Sequence, residues 1–172
     1  LGAIFEDVIN GTLPIHLDQY LYSSSLLGIT KENSDKLRPL ALGEMLYRIP
    51  TTFNINRHRT NLAEVVGPNQ YALGMTDGLG KATIKQRTIL ASGAVNAACD
   101  FTNAFNTIDR NHAMEQLFNH PNLSGLWRMV HAAYKKPTNM FVKGPGGHVA
   151  AVIQSRNGAR QGDPSGQTIF CV

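Results

Sequence analysis

The sequence predicts an α+β fold, and three observations carry that expectation. Helix-period and strand-period patterns occur side by side, two stretches read as β-hairpins, and strands and helices do not alternate in strict βαβ order. The chain has 172 residues and 42% apolar content, enough to bury a core of its own.

Two helical patterns open the chain. Ile4, Phe5, Val8 and Ile9 share one face over residues 1–10, and Gly11 stands where a C-cap belongs. Pro14 begins a second short helix that runs to Tyr22. A hairpin follows. Residues 25–30 (SLLGIT) and 36–42 read as its strands and the polar KENSD as its turn, with Arg38 near its edge. From Glu44 to about Leu62 a long helix is expected, with Leu46, Ile49 and Phe53 as the buried stripe. Pro50 lies inside it and predicts a kink or break. Residues 66–83 hold four glycines and read mainly as loop, followed by a helix from Ile84 to about Leu90.

The apolar run within residues 94–101 reads as a buried strand that carries Asp100 to a sheet end. Asp109 is the expected N-cap of a helix that buries Ala113, Met114, Leu117 and Phe118 and ends at Pro121. Ser124 caps another, lined by Leu126, Trp127, Val130, Ala133 and Tyr134. Residues 138–143 and 148–154 flank GPGG as a second hairpin. Asp163-Pro164 sets an N-cap residue before proline at a first helical position, so a last helix should start there.

The net charge of +4 is uneven. Residues 1–35 carry five acids and one base, and the remainder carries fifteen bases and seven acids. A basic later surface suits a polyanionic partner, although many solvated surfaces are modestly basic. Cys99 and Cys171 form no CxxC pair and the six histidines show no ligand spacing. That argues for a reducing compartment and against a structural zinc or a disulfide framework. No apolar run approaches the roughly eighteen residues of a membrane-spanning helix, and no secretory signal is seen. The chain begins without methionine and stops inside the apolar run at 169–172, so a piece of a longer polypeptide is expected.

Three stretches hold candidate chemistry. In CDFTNAFNTIDR (99–110), Asp100 closes an apolar run, as a ligand-binding carboxylate at a sheet end does; a turn former or cap has the same local pattern. In RPLAL (38–42), Arg38 at the mouth of a hairpin can grip a phosphate with its planar fork, or simply guard an edge strand. In RNGARQGDP (156–164), Gly162 bares backbone beside Gln161 just before a helix start, a turn that offers donors to a ligand or merely connects two elements. GLGKAT at 78–83 is not a phosphate-binding P-loop, because Met75 and Ala82 stand where that motif needs Gly and Ser or Thr.

Taken in order, RPLAL, QYALG (70–74), CDFTNAFNTIDR, the GPGG hairpin and GARQGDP resemble the reverse transcriptase domain, and in particular that of non-LTR retrotransposons. The resemblance covers nearly the whole chain. It implies the fingers and partial palm of a right-hand polymerase, with residues 1–93 fingers-like and 94–172 palm-like, truncated before the second acidic motif. The implied activity is RNA-directed DNA synthesis, in which two magnesium ions help to extend a DNA primer on an RNA template with deoxynucleoside triphosphates. By the same resemblance Asp100 and the backbone carbonyl of Phe101 match metal ligands. Arg38 matches a contact to the incoming triphosphate, Phe105 a ring that excludes the ribose 2′-hydroxyl, and Gln161 and Gly162 a turn beside nucleotide and template. Basic residues between Lys36 and Arg59, with Lys81, Lys85 and Arg87, are further candidates to track the nucleic-acid backbone. An intracellular location follows, and a nuclear one if the parent is target-primed; no membrane partner is expected.

The departures matter as well. No aromatic-X-Asp-Asp motif occurs, and Ser165 and Gln167 follow QGDP where the family has Leu and often Pro. The segment alone is therefore expected to be inactive. A non-catalytic nucleic-acid-binding remnant of a retrotransposon polymerase is the alternative, and a decayed copy without activity the third reading.

Overall fold

A computed structural model describes the backbone of residues 1–31 and 34–172, and the side chains of these outside 31–36. The described residues form an α+β structure in which helices pack around one core and two hairpins join into one mixed sheet. Of the expected first turn, residues 32 and 33 lie outside the described residues.

Helix α1 (Gly2–Asn10) buries Val8 and closes on Gly11 at φ 68°, as the pattern predicted. Helix α2 (Ile15–Leu21) leads into strand β1 (Ser24–Lys31), which returns as β2 (Ser34–Gly43). Helices α3 (Met45–Arg57) and α4 (Arg59–Val66) follow, then α5 (Gly78–Ala91) and the short α6 (Ala104–Thr107). Helix α7 (Arg110–Asn119) is capped by Asp109, whose carboxylate accepts from the backbone N–H groups of Asn111 and His112 at 2.8 and 3.4 Å. A 3₁₀ turn, Pro121–Leu123, separates it from α8 (Ser124–Tyr134). The second hairpin is β3 (Thr138–Lys143) and β4 (Val149–Ser155), joined by the 3₁₀ turn Pro145–Gly147, and α9 (Gly166–Cys171) is the last helix.

The sheet order is β2-β1-β3-β4. Both hairpins are antiparallel, and they meet along a parallel seam where Ser24, Ser25 and Leu26 face Met140, Phe141 and Val142. Helix α1 packs on α3 and α8, and α7 packs on α8. Helix α8 is the hub. Leu126, Met129, Val130, Ala133 and Tyr134 bury one continuous stripe against Val8, Tyr47, Leu62 and Leu117. Core and sheet thus draw on residues from both sides of position 93.

Several local expectations are corrected. Residues 94–103 do not form a buried strand: they run in irregular, exposed backbone, with Val95 95% and Phe101 72% exposed. A strand needs a neighbour for its N–H and C=O groups, and neither edge of the four-stranded sheet offers this segment one. The break in the long helix falls at His58, not at Pro50, which is fully buried inside α3. Helix α3 also turns a different face inward. Ile49 and Phe53 are exposed, whereas Tyr47, Pro50, Thr51 and Asn54 are buried at the equally helical spacing i, i+3, i+4, i+7. The polar stripe wins because its groups find partners: the Asn54 amide donates to Gly125 O at 3.2 Å and the Thr51 hydroxyl to Tyr47 O at 2.7 Å. Helix α5 begins at Gly78, six residues before the expected start. Phe118 points outward, and α9 begins at Gly166 rather than at Pro164.

This reassigned face of α3 is directly testable by chemical denaturation. Phe53→Ala is expected to change stability by less than about 0.5 kcal/mol. Leu126→Ala, which empties a fully buried site, should cost roughly 2–5 kcal/mol. Comparable losses at both positions would contradict the packing.

Candidate functional site

A cleft of about 440 Å³ opens where three distant parts of the chain meet. Strand β2 supplies Leu37, Arg38 and Pro39, the segment through α6 supplies Asp100, Phe101, Asn103, Phe105 and Asn106, and the turn after β4 supplies Gln161. Five of the six residues singled out in the sequence therefore line one hollow. The sixth, Gly162, adjoins Gln161 and packs on β2.

The turn after β4 crosses back over the sheet to reach β2. Ala41 N–H donates to Gln161 O at 2.7 Å, which ties the turn to the edge strand. Gly162 sits at φ 102°, and a Cβ there would lie 2.8 Å from Leu40 Cδ1 and 2.9 Å from Ala41 O. Only glycine fits this approach without displacing β2. The other wall is stitched in the same way. Ala159 N–H donates to Phe105 O at 2.7 Å and Gly158 N–H to Ile108 O at 3.2 Å. Phe105 is half-buried, stacked on Phe170 of α9 with centroids 5.3 Å apart and planes 12° from parallel.

Beneath the cleft lies a buried polar knot that sequence reasoning did not foresee. Arg160 and Asp163 form an ion pair at 2.7 Å, with their side chains 3% and 4% exposed. The remaining Asp163 lone pairs accept from the Tyr47 hydroxyl at 3.1 Å and from the Ser165 hydroxyl and N–H at 2.7 and 2.9 Å. Arg160 also donates to Tyr22 O and to Thr138 Oγ1, so it reaches the starts of both central strands. Its guanidinium lies 4.6 Å from the Tyr134 ring centroid, and that of Arg110 lies 5.0 Å from the same ring. Arg110 fixes the far end of the turn, donating to Gly158 O, Ser155 O, Ser155 Oγ and Asn157 O at 2.6 to 3.1 Å.

The electrostatics follow from these partners. Burial, and next the Asp163 charge, push the Tyr47 phenol well above its ordinary range and the Tyr134 phenol up to about 12. Burial pulls the Arg160 guanidinium down, but Tyr134 and Asp163 outweigh it and hold the group above its usual value. Arg110, whose own hydrogen bonds go to neutral acceptors only, is lowered by burial. Asp163 is thus a structural ion here and not a site ligand, and it does not cap α9 in the manner the sequence suggested.

The donor set does not fit a two-magnesium centre. Among the described residues Asp100 is the one carboxylate lining the cleft, and no group of three or more His, Cys, Asp or Glu stands together. One carboxylate beside one backbone carbonyl leaves the hard-oxygen shell of two ions unfilled. What the cleft offers through its own side chains is a guanidinium, a carboxylate, two aromatic rings and several amides.

No protein-family model matches the chain. Over all of its 172 residues it is 24% identical to the retrotransposable element SLACS 132 kDa protein of Trypanosoma brucei gambiense, and it spans 14% of the length of that protein. The likeness supports a retrotransposon-related origin.

The knot makes two testable statements. Asp163→Asn leaves Arg160 buried and uncompensated and should destabilise the fold by roughly 3–5 kcal/mol, measured by urea unfolding, whereas Arg160→Met with Asp163→Leu should cost clearly less. For pH, the folded chain keeps the Tyr134 proton up to about 12 while the unfolded chain releases it near 10. Stability should therefore be unaffected by this group below that window and fall through it, by about 1.4 kcal/mol per pH unit. Tyr134→Phe should make the alkaline decline shallower by that amount; an unchanged slope would contradict the assignment.

Proposed function

We propose that this chain is the nucleotide-binding portion of an RNA-directed DNA polymerase of retrotransposon origin, with residues 1–93 fingers-like and 94–172 part of the palm. The observation that carries the reading is convergence. Arg38, Asp100, Phe101, Phe105 and Gln161, far apart in sequence and singled out by three separate motifs, line one cleft. The whole-chain likeness to a retrotransposon protein supports the same reading.

In it, the Arg38 fork neutralises the phosphates of an incoming deoxynucleoside triphosphate. Phe105, braced by Phe170, presents its ring edge to the sugar and leaves no room for a 2′-hydroxyl. Gln161 offers its amide to the template or base from a turn that Gly162 presses against β2. Asp100 would be one carboxylate of a magnesium site whose remaining ligands the described residues do not supply, so these residues by themselves are not expected to turn over. A non-catalytic nucleic-acid-binding remnant is the second reading, favoured by the single carboxylate that the described residues place in the cleft.

The test uses a polypeptide that carries this segment and extends primers on RNA. Phe105→Val should raise ribonucleotide incorporation relative to deoxynucleotide by at least about tenfold, and Asp100→Asn should abolish extension while the fold is kept. Unchanged sugar selectivity, or extension that survives Asp100→Asn, would sink the assignment. A carrier without extension that still binds template-primer in a salt-dependent manner would instead favour the remnant.

A further inference from the structure

Past Asn106 the cleft continues. A hollow of about 300 Å³ over the sheet shares Asn106 and Gln161 with it, and a groove of about 550 Å³ beyond shares Asn106, Arg156 and Asn157 with that hollow. The three form one furrow. Its far end is built by the start of α7, the end of α8 and the residues just after β4, and Lys135, Lys136 and Arg156 line it.

The charge there is strongly one-sided. Among the described residues Asp109 is the only carboxylate lining the groove, and its oxygen is already committed to the N–H groups at the start of α7. The Arg160–Asp163 pair is the one ion pair among the described residues, so the two lysines and Arg156 have no described carboxylate within 4.0 Å. Gln154 accepts from Nε and Nη2 of Arg156 at 3.1 and 2.8 Å and steadies the guanidinium at the rim. Lys135 and Lys136 are exposed, and Asn111 and Asn157 line the same groove with neutral amides. Ile108, Tyr134 and Pro137 also line the groove, but cations and neutral amides outnumber them, and that mixture suits a phosphodiester chain.

We infer that this groove carries the backbone of a single nucleic-acid strand whose next units pass Asn106 into the cleft. The inference rests on reading the cleft as a nucleotide site and extends it to the strand's path. A hollow of this volume takes a few phosphodiester units of one strand and not the body of a duplex.

The experiment is fluorescence anisotropy of the 172-residue chain with a labelled single-stranded oligonucleotide of about 12 nucleotides, titrated with salt. The double variant Lys135→Glu, Lys136→Glu should weaken binding at least tenfold. It should also flatten the log–log salt dependence by about 1.4, the share of two lost phosphate contacts on a single strand. Lys135→Arg, Lys136→Arg should bind like the parent, and circular dichroism checks that both variants are folded. A glutamate variant that binds like the parent, while Arg38→Ala binds more weakly, would overturn the groove and leave the cleft standing. Loss in the glutamate variant with none in Arg38→Ala would support the groove and count against the cleft. Competition by polyglutamate as effective as by unlabelled oligonucleotide would overturn a nucleic-acid strand as the occupant, and an absence of any binding would overturn both readings.

Discussion

The buried pair of Arg160 and Asp163 is the constraint on which the rest of this structure depends. A buried ion pair contributes little net stability, because desolvating two charges offsets most of their attraction. What it supplies here is position. Arg160 holds Tyr22 O and Thr138 at the starts of the two central strands, and Asp163 holds Tyr47 from α3 and Ser165 before α9. Between them lie Gln161 and Gly162, so the pair sets the angle at which this turn meets β2. With every described Asp163 contact made by a strong donor, the turn has few alternative arrangements of similar energy.

The same logic explains why a polar stripe of α3 faces inward while Ile49 and Phe53 face out. Tyr47 and Asn54 each reach a specific acceptor, and their neighbours Pro50 and Thr51 are buried with them. The cost of burying these groups is offset only because those acceptors are in place, which couples α3 to the turn after β4 and to α8. Arg110 performs the corresponding task at the other end, gripping three backbone carbonyls between Ser155 and Gly158. Site and core are thus one network, and the floor of the cleft is also the seam between the helices and the sheet.

Elements with strong local chemistry were legible in the sequence. The Gly11 cap, the Asp109 cap, both hairpins and the apolar stripe of α8 follow from patterns that need no knowledge of distant partners. What failed was whatever depends on a distant partner. The run at 94–101 has strand composition but no strand beside it, and the inward stripe of α3 was decided by Asp163, more than a hundred residues away. Gln161 and Gly162 were visible through their motif, whereas Asp163 read as a helix N-cap and Arg160 was assigned no role of its own. Reading RQGDP as two charges three apart around a glycine would have suggested an i,i+3 ion pair, though not its burial. Lys135 and Lys136 belong to no motif, and only the fold aligns them with Arg156 and Asn106.

The central claim is that residues separated along the chain act as one nucleotide-binding cleft. Amide chemical-shift mapping of the labelled chain with a deoxynucleoside triphosphate tests it most directly, because it reports location as well as affinity. Saturable shifts should appear together at Arg38, Phe101, Phe105, Gln161 and Gly162, with the hairpin turn at Pro145–Gly147 and helix α1 unmoved. Shifts that centre on any other surface, or that leave Arg38 and Gln161 unmoved at saturation, would contradict the account.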